Sequence, residues 1–386
     1  METESAETSS SVTEDLRTSG NGSNSSSAWG EGACHDYYNI LSTLVLSALM
    51  GLVCVVTITG NTLVVIAFAV DRKLRSFGNY FILNLALSDL IVGLLIGVYA
   101  PYLLRGCWQL TRPGCLAFLL LDYVVPLASA WNMALISLDR YWSVARPIEY
   151  RLKMNTNVAV LCMSVPWLAG IIWYGPSVLL WETLSGRKAV PDGKCYVDFY
   201  DNVGYLIACS CVEFVLPFVT VASINVLIYL NIRRRSRGLM AASTLSATLT
   251  SSIAGSAADD SQTTAKAKKL LSRDKKSARS LAILIVVFLF TWAPFEVCAF
   301  VEPICNFCMP KFTLEVVFWL LWLNSTINPM LYPFLQQRFR VTFVRLLSCQ
   351  CRSPPHDAAL HSTRTGGDER TCPMTRLTRN DTAVVT

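Results

Sequence analysis

Seven long apolar segments alternate with short polar ones along most of the chain. An apolar run of about 20 residues can cross a lipid bilayer as a helix. The chain shows no series of short alternating strands separated by turn signals, which argues against a membrane barrel. The pattern predicts an all-α membrane protein in which residues 40–335 form a seven-transmembrane helix bundle. The predicted spans are about 40–69, 77–104, 112–145, 156–180, 201–232, 277–303 and 312–335.

Polar segments flank and interrupt this bundle. Residues 1–39 are rich in Ser, Thr, Gly and Asn, which predicts a disordered arm. Residues 236–274 hold a low-complexity Ser/Ala/Thr stretch, which predicts a flexible third cytoplasmic loop. Bases alternate with apolar residues at helical spacing over 336–348, which predicts a short amphipathic eighth helix on the inner leaflet. Residues 349–386 are predicted to be a disordered tail.

Composition and charge support a membrane protein and indicate its orientation. The chain is 53% hydrophobic and 16% charged, with a mean hydropathy of +0.42, whereas soluble domains average about 25% charged residues. The connections assigned to the cytoplasm carry 18 Lys and Arg, against seven on the other side. This bias predicts an extracellular N-terminus and a basic loop that faces a membrane, not nucleic acid. Glycosylation sequons at Asn21 and Asn24 fit an extracellular arm.

An acid lies inside the third predicted span. A carboxylate within a membrane is costly, so Asp122 is expected to face the bundle interior and to pair there. No Lys or Arg in the outer half of another span is an obvious partner. A cationic amine held by charge and by aromatic rings would satisfy it, and the alternative is a structural acid bonded to nearby hydroxyls and amides. The aromatic residues expected around a ligand are Tyr99, Tyr123, Trp292, Phe295, Phe318, Trp319 and Trp322.

Two more acids lie in the outer halves of other spans, Glu213 in the fifth and Glu296 in the sixth. Three carboxylates around one cavity would either bind a doubly basic ligand or share protons and stay partly neutral. Glu213 is too deep to reach the membrane surface. For Glu296, a side chain that extends to the surface is an alternative to one that faces the cavity.

Deeper polar residues predict a polar core. Asp89 in the second span is another buried acid, and amide and hydroxyl side chains are expected at similar depth. Such a cluster suits an allosteric sodium ion with waters, and the alternative is a hydrogen-bond network without an ion. The other members are Asn61, Ser129, Asn324, Ser325 and Asn328.

The third span ends in an ionic cluster, Asp139-Arg140-Tyr141. An acid–Arg pair at the inner membrane face would lock the bundle, and its release would expose a cation to a partner. Proline interrupts several spans, and Pro126 lies one turn below Asp122. Because proline removes a backbone hydrogen bond, the third helix is predicted to bend there.

The cysteines predict bridges on the outer side. Cys115 and Cys195 are the natural extracellular disulfide, and Cys305 with Cys308 would form a second, small one. Pairing of the remaining outer cysteines, Cys34 and Cys107, is a weaker hypothesis. Beyond the eighth helix, Cys349 and Cys351 are either palmitoylated or unmodified thiols. No metal-ligand spacing, nucleophile motif or phosphate loop is present, so the chain is not expected to be an enzyme.

These motifs resemble those of the rhodopsin-like (class A) G-protein-coupled receptors over nearly all of residues 40–350. The landmarks, in chain order, are Asn61, LALSD around Asp89, Cys115, Asp139-Arg140-Tyr141, Trp167, Pro217, FTWAP from Phe290 and NPMLY from Asn328. Within the family, the chain resembles the aminergic branch and in it the histamine receptors, most of all the type-3 subtype. The stretches that carry this are Tyr174–Phe199, VEF around Glu213, Leu271–Ala282 and Phe318–Trp322.

The resemblance implies roles for particular residues. Asp122 would pair with the ligand's ammonium and Glu213 with its imidazole. Trp292, Arg140 and Tyr332 would belong to the activation machinery, and the sodium site would be at Asp89.

The implied protein is a plasma-membrane histamine receptor that acts on an inhibitory heterotrimeric G protein and lowers cyclic AMP. Arrestin and receptor kinases are further implied partners. The alternatives are acetylcholine or another mono- or diamine as ligand, and a relative that has lost amine binding. A secondary amine transporter is more remote, because no inverted repeat is evident.

Overall fold

The fold is all α, as predicted, in a computed structural model that describes residues 38–186, 190–191, 193–199, 202–250, 257–305 and 308–348. No strand occurs among these residues. The helices are α1 (Ile40–Val70), α2 (Phe77–Arg105), α3 (Arg112–Ala145), α4 (Pro147–Lys153), α5 (Thr156–Leu179), α6 (Trp181–Ser185), α7 (Val203–Ser210), α8 (Leu216–Thr250), α9 (Ala257–Ile304), α10 (Lys311–Leu335) and α11 (Gln337–Leu347). A 3₁₀ turn covers Arg72–Leu74, and a π-helical turn, Cys211–Val215, joins α7 to α8.

Most of the long helices are long and apolar enough to cross a bilayer. Six segments of the described chain are long and apolar enough to cross a bilayer, namely Ile40–Val70, Phe77–Arg105, Arg112–Ala145, Thr156–Leu179, Val203–Ala241 and Ala267–Glu302. The last predicted span coincides with α10, which is long enough but more polar. Its Asn324, Ser325 and Asn328 are buried inside the bundle, so their polarity is not exposed to lipid.

Capping side chains explain why several helices begin where they do. The side chain of Asn39 accepts the amide N–H of Ser42 at 2.8 Å at the start of α1. Asn155 and Asn202 cap α5 and α7 in the same way, at 3.0 Å each. These side chains satisfy backbone donors that have no partner within the helix. At the other end of α2, Gly106 takes the left-handed conformation (φ +67°) that closes many helices.

The region expected to be a flexible loop, 236–274, is largely helical where it is described. α8 continues to Thr250 and α9 begins at Ala257, and the intervening residues lie outside the described chain. Ala, Leu and Lys are strong helix formers and recur here, and they extend helices that the neighbouring spans have already nucleated. An ion pair of 3.3 Å between Arg235 and Asp274 joins the two extensions.

The amphipathic eighth helix lies against the bundle as α11. Phe339 and Phe343 are buried on its apolar face, and the ring of Phe339 lies 5.8 Å from that of Tyr332. On its polar side, the hydroxyl of Thr342 donates to Asp71 at 3.1 Å, and Arg338 pairs with the same carboxylate at 3.6 Å. α11 is therefore fixed to the turn that follows α1.

A buried amide network joins three of the long helices. Asn84 of α2 donates to the side chain of Asn132 in α3 at 3.1 Å and accepts the indole N–H of Trp167 in α5, also at 3.1 Å. Asn132 in turn donates to the carbonyl of Phe81 at 2.8 Å. Each hydrogen bond gives a buried polar group a partner that lipid could not provide. The network therefore fixes the packing of α2, α3 and α5 against one another.

Replacing Asn84 should therefore destabilise the bundle. In Asn84→Leu, the Trp167 indole and the Asn132 carbonyl lose their buried partners, a cost of about 1–3 kcal/mol. We expect a lower midpoint in thermal unfolding of the purified protein. Asn231→Leu is the matched control, because that side chain is only half-buried and bonds only to its own helix. Equal midpoints for the two variants would contradict the structural role of Asn84.

Candidate functional site

A cavity of about 170 Å³ lies between α2, α3, the π-helical turn, α9 and α10. It brings together most of the acids and aromatic residues predicted for a ligand, and it reaches the predicted polar core as well. The two predicted sites are thus parts of one space. Its lining consists of Asp89, Val92, Leu95, Asp122, Tyr123, Pro126, Ser129, Glu213, Trp292, Phe295, Phe318, Leu321, Trp322, Asn324 and Ser325.

Three predicted ligand residues lie behind this wall instead of lining it. The ring of Tyr99 lies 5.7 Å from Phe318 and 5.4 Å from Trp322, and the ring of Trp319 lies 5.4 Å from Trp322. Both therefore support lining residues. Glu296 is 4% exposed and does not line the cavity.

Asp122 is half-buried, one turn above Pro126 on the same face of α3. No Lys or Arg within the described chain forms an ion pair with it, and no described side chain donates a hydrogen bond to it. Its neighbours across the cavity include the rings of Trp292, Phe295 and Trp322. An unpaired carboxylate beside aromatic faces is a site for a cation.

Glu213 reaches the same cavity from the π-helical turn. The hydroxyl of Tyr174 in α5 donates to one of its carboxylate oxygens at 2.8 Å, which fixes the side chain and leaves the other oxygen for a ligand. The ring of Tyr174 also packs against that of Tyr123, with 5.0 Å between centroids. A second acceptor thus faces Asp122 from another helix.

Pro217 explains the local backbone around Glu213. In the π-helical turn, the N–H of Leu216 donates five residues back to the carbonyl of Cys211. The next donor in that pattern would be Pro217, which has no N–H, so the carbonyl of Val212 loses its partner. The indole N–H of Trp131 in α3 donates to that carbonyl at 3.2 Å. The sequence alone indicated the proline but not the role of Trp131.

The polar core is hydrogen-bonded as a chain across three helices. Asn328 donates to Asp89 at 3.0 Å and to Asn324 at 3.3 Å, and Asn324 donates to the hydroxyl of Thr291 at 2.8 Å. Asn61 donates to the carbonyls of Thr57 and Ser325, at 2.9 and 3.1 Å, while its own side-chain oxygen is buried without a described partner. Ser129 faces the same space from α3.

The ionic cluster at the end of α3 is closed. Asp139 is 2% exposed, and its carboxylate pairs with Arg140 at 3.0 Å. The hydroxyl of Tyr150 in α4 donates to the other oxygen of Asp139. Burial first, and then the charge of Asp139, raise the pKa of Tyr150, so its hydroxyl keeps the proton that it donates. Sequence reasoning missed Tyr150, because nothing in the sequence distinguishes it from other interfacial tyrosines.

Gly78 of α2 packs directly against this pair. A Cβ atom placed on it would come within 2.5 Å of the guanidinium of Arg140 and would also overlap the carboxylate of Asp139. Only glycine leaves room for the closed pair at this position. Tyr141 packs at the edge of the apolar core, and Tyr332 is buried with its hydroxyl unpartnered among the described residues.

A second cavity, of about 230 Å³, opens beside the ion pair. Arg140, Arg273 and Lys276 make it basic, and Leu281, Leu284 and Leu335 give it an apolar floor. It lies at the opposite end of α3 from Asp122, so the two ends of this helix face different cavities.

Disulfides fix the end of the bundle near Asp122. Cys115 is joined to Cys195 and Cys305 to Cys308, and Cys107 is also disulfide-bonded. The first of these bridges confirms the predicted pair. The predicted modification sites and one cysteine hypothesis fall outside the described residues: Asn21, Asn24, Cys34, Cys349 and Cys351.

Comparison with known proteins agrees with this architecture. Residues 60–332 match the family described as 7 transmembrane receptor (rhodopsin family). The muscarinic acetylcholine receptor M1 of Homo sapiens is 29% identical in an alignment of 404 positions, gaps included, that covers 78% of this chain and 88% of that protein. The same receptor of Sus scrofa is 28% identical in an alignment of 407 positions, with the same coverage. The family is one of multi-pass membrane receptors that bind small ligands and act on heterotrimeric G proteins, not one of enzymes, and the chain belongs to it.

Proposed function

We propose that the protein is a plasma-membrane receptor for a biogenic amine, with histamine as the first candidate. Its N-terminus would be extracellular, and the bound amine would activate an inhibitory G protein that lowers cyclic AMP. The observation that carries the proposal is one cavity that holds Asp122 and Glu213, with aromatic walls and no paired cation in the described chain.

Histamine matches this arrangement group by group. Its ammonium would pair with Asp122, and its imidazole would donate to the oxygen of Glu213 that Tyr174 leaves open. The cavity of about 170 Å³ is smaller than the roughly 300–1,000 Å³ of drug-sized sites, which favours a ligand with few heavy atoms.

Acetylcholine is a second candidate because it is the ligand named for the muscarinic relatives. The aromatic wall suits its quaternary ammonium. However, acetylcholine carries one positive charge and no hydrogen-bond donor, so it would leave Glu213 without a ligand partner.

A diamine is a third candidate, supported by Glu296. Its side chain is 4% exposed, no described group forms a hydrogen bond or ion pair with it, and the charge of Glu213 acts on it. The second ammonium of a diamine, placed near Glu213 and Glu296, would neutralise more of their negative charge than the imidazole of histamine would.

Transmission would run along α3 to the ion pair at its other end. Binding at Asp122, Glu213 and Trp292 would contract one end of the bundle, and α9 would move outward at the other end. Arg140 would then leave Asp139 and face the G protein in the basic second cavity. In the polar core, Asp89 would hold a sodium ion in the inactive arrangement.

Glu213→Gln should reduce histamine potency about 10- to 100-fold, because a charge-assisted hydrogen bond becomes a neutral one. A monoamine without a second polar group should lose less than about threefold, since it does not reach this residue. Asp122→Asn should abolish the response to both. The measurement is ligand-stimulated nucleotide exchange on a G protein in membranes. Unchanged histamine potency in Glu213→Gln would rule out this pose.

The diamine candidate makes a separate prediction. Glu296→Gln should lower the potency of a four- or five-carbon alkyl diamine about tenfold and that of histamine less than about threefold, because only the diamine brings a second full charge. Glu302→Gln, which changes another acid near the end of the same helix, is the control. The same nucleotide-exchange assay decides, and equal shifts for both ligands would exclude a specific role for Glu296.

Gly78→Ala should raise ligand-free activity severalfold, because the added methyl group overlaps the Asp139–Arg140 pair and favours its opening. Basal nucleotide exchange on a G protein, normalised to receptor number, measures the effect. Gly51→Ala is the matched control: it makes the same change in a helix, with no atom within 4 Å of the new Cβ. Basal activity at the wild-type level in Gly78→Ala would show that the closed pair does not restrain the receptor.

A further inference from the structure

Pro126 leaves one backbone carbonyl of α3 without its helical donor. In an α-helix, the N–H of residue 126 would donate to the carbonyl of residue 122. Proline has no N–H, so the carbonyl of Asp122 loses that bond although α3 continues without a break from Arg112 to Ala145. No side chain, and no backbone group beyond the helix's own hydrogen bonds, donates to it in the described chain.

The two residues at the ends of this missing hydrogen bond both line the cavity. Asp122 and Pro126 lie one helical turn apart on the same face of α3, and the carbonyl of Asp122 points along the helix toward Pro126. Burying a carbonyl without a hydrogen-bond partner costs free energy, and a donor group that binds to it recovers that free energy. The Asp122 carboxylate and the Asp122 carbonyl therefore form two acceptors for one donor group.

We propose that Asp122 holds the ligand's ammonium through its carboxylate and its own freed carbonyl together. Pro126 thereby makes the receptor selective for amines with N–H donors over quaternary ammonium ions. This inference rests on the proposed function, in which Asp122 is the amine site. It adds a specificity determinant that separates the candidate ligands by chemistry.

The two kinds of recognition in this cavity differ in what they require. Trp292, Phe295 and Trp322 offer aromatic faces, which attract any cation whether or not it carries hydrogen. The carboxylate likewise attracts both kinds of ammonium by charge. The carboxylate also accepts a hydrogen bond from an N–H group, and the freed carbonyl adds a second acceptor that methyl groups cannot satisfy with comparable strength. A primary ammonium has three such donors, enough for the carboxylate and the carbonyl at once.

The test compares histamine with its analogue trimethylated at the side-chain nitrogen, on the full-length receptor in membranes. The affinities of both ligands for wild type, Pro126→Ala and Asp122→Asn are measured by competition with a labelled amine. Thermal stabilisation of each purified receptor by the unlabelled ligands provides a second measurement. Wild type should prefer histamine over the trimethyl analogue by about tenfold or more. In Pro126→Ala, the restored N–H occupies the carbonyl, and this preference should shrink by about fivefold to tenfold.

The preference ratio within each variant cancels any general loss of receptor stability caused by the substitution. Pro166→Ala, a proline in α5 that does not line the cavity, should leave the ratio within about twofold of wild type. An unchanged ratio in Pro126→Ala, with binding that is still lost in Asp122→Asn, would overturn this inference alone. Binding of neither probe to wild type, or binding that survives Asp122→Asn, would overturn the amine site and this inference with it.

Discussion

An uncompensated carboxylate inside the bundle is the constraint on which the rest of this structure depends. Asp122 has no basic partner in the described chain, and Glu213, another acid of the cavity wall, has only a tyrosine hydroxyl. In a medium of low dielectric constant, such a group is stable only with a proton or an external cation. The aromatic walls, and the lack of a Lys or Arg paired with it among the described residues, favour the cation that we propose as the ligand.

Backbone hydrogen bonding adds a second constraint, because a membrane helix has no water to satisfy broken bonds. At Val212, the break caused by Pro217 is repaired by the indole of Trp131 from the next helix. At Asp122, the break caused by Pro126 has no side-chain repair in the described residues, and both residues line the cavity. The same sequence feature thus gives a packing contact at one position and no such contact at the other. What decides between them is which side chain the neighbouring helix presents.

The sequence predicted the helical spans and the acids well, because both follow from local signals. An apolar run of sufficient length must form a helix in a bilayer, and an acid within that run must face inward. Low-complexity composition predicts a flexible loop over 236–274, but the helix propensity of Ala, Leu and Lys extends both flanking helices into this region. Neither Tyr150 nor Gly78 was predicted at the ion pair. Their roles depend on the crossing of α2, α3 and α4, which no local pattern specifies.

The shared cavity couples groups that the sequence treated as separate sites. Asp122 and Asp89 line one space, so a cation bound at either carboxylate changes the electrostatic cost of a cation at the other. With an effective dielectric constant of about 20, two unit charges about 10 Å apart repel by about 1.7 kcal/mol. Coupling of this size between two sites is necessarily reciprocal. An ion in the polar core would therefore weaken amine binding, and the bound amine would weaken the ion by the same factor. Asn328 links Asp89 to Asn324 and through it to Thr291 on α9. Loss of that ion would therefore change the hydrogen bonds of α9, whose other end borders the basic cavity.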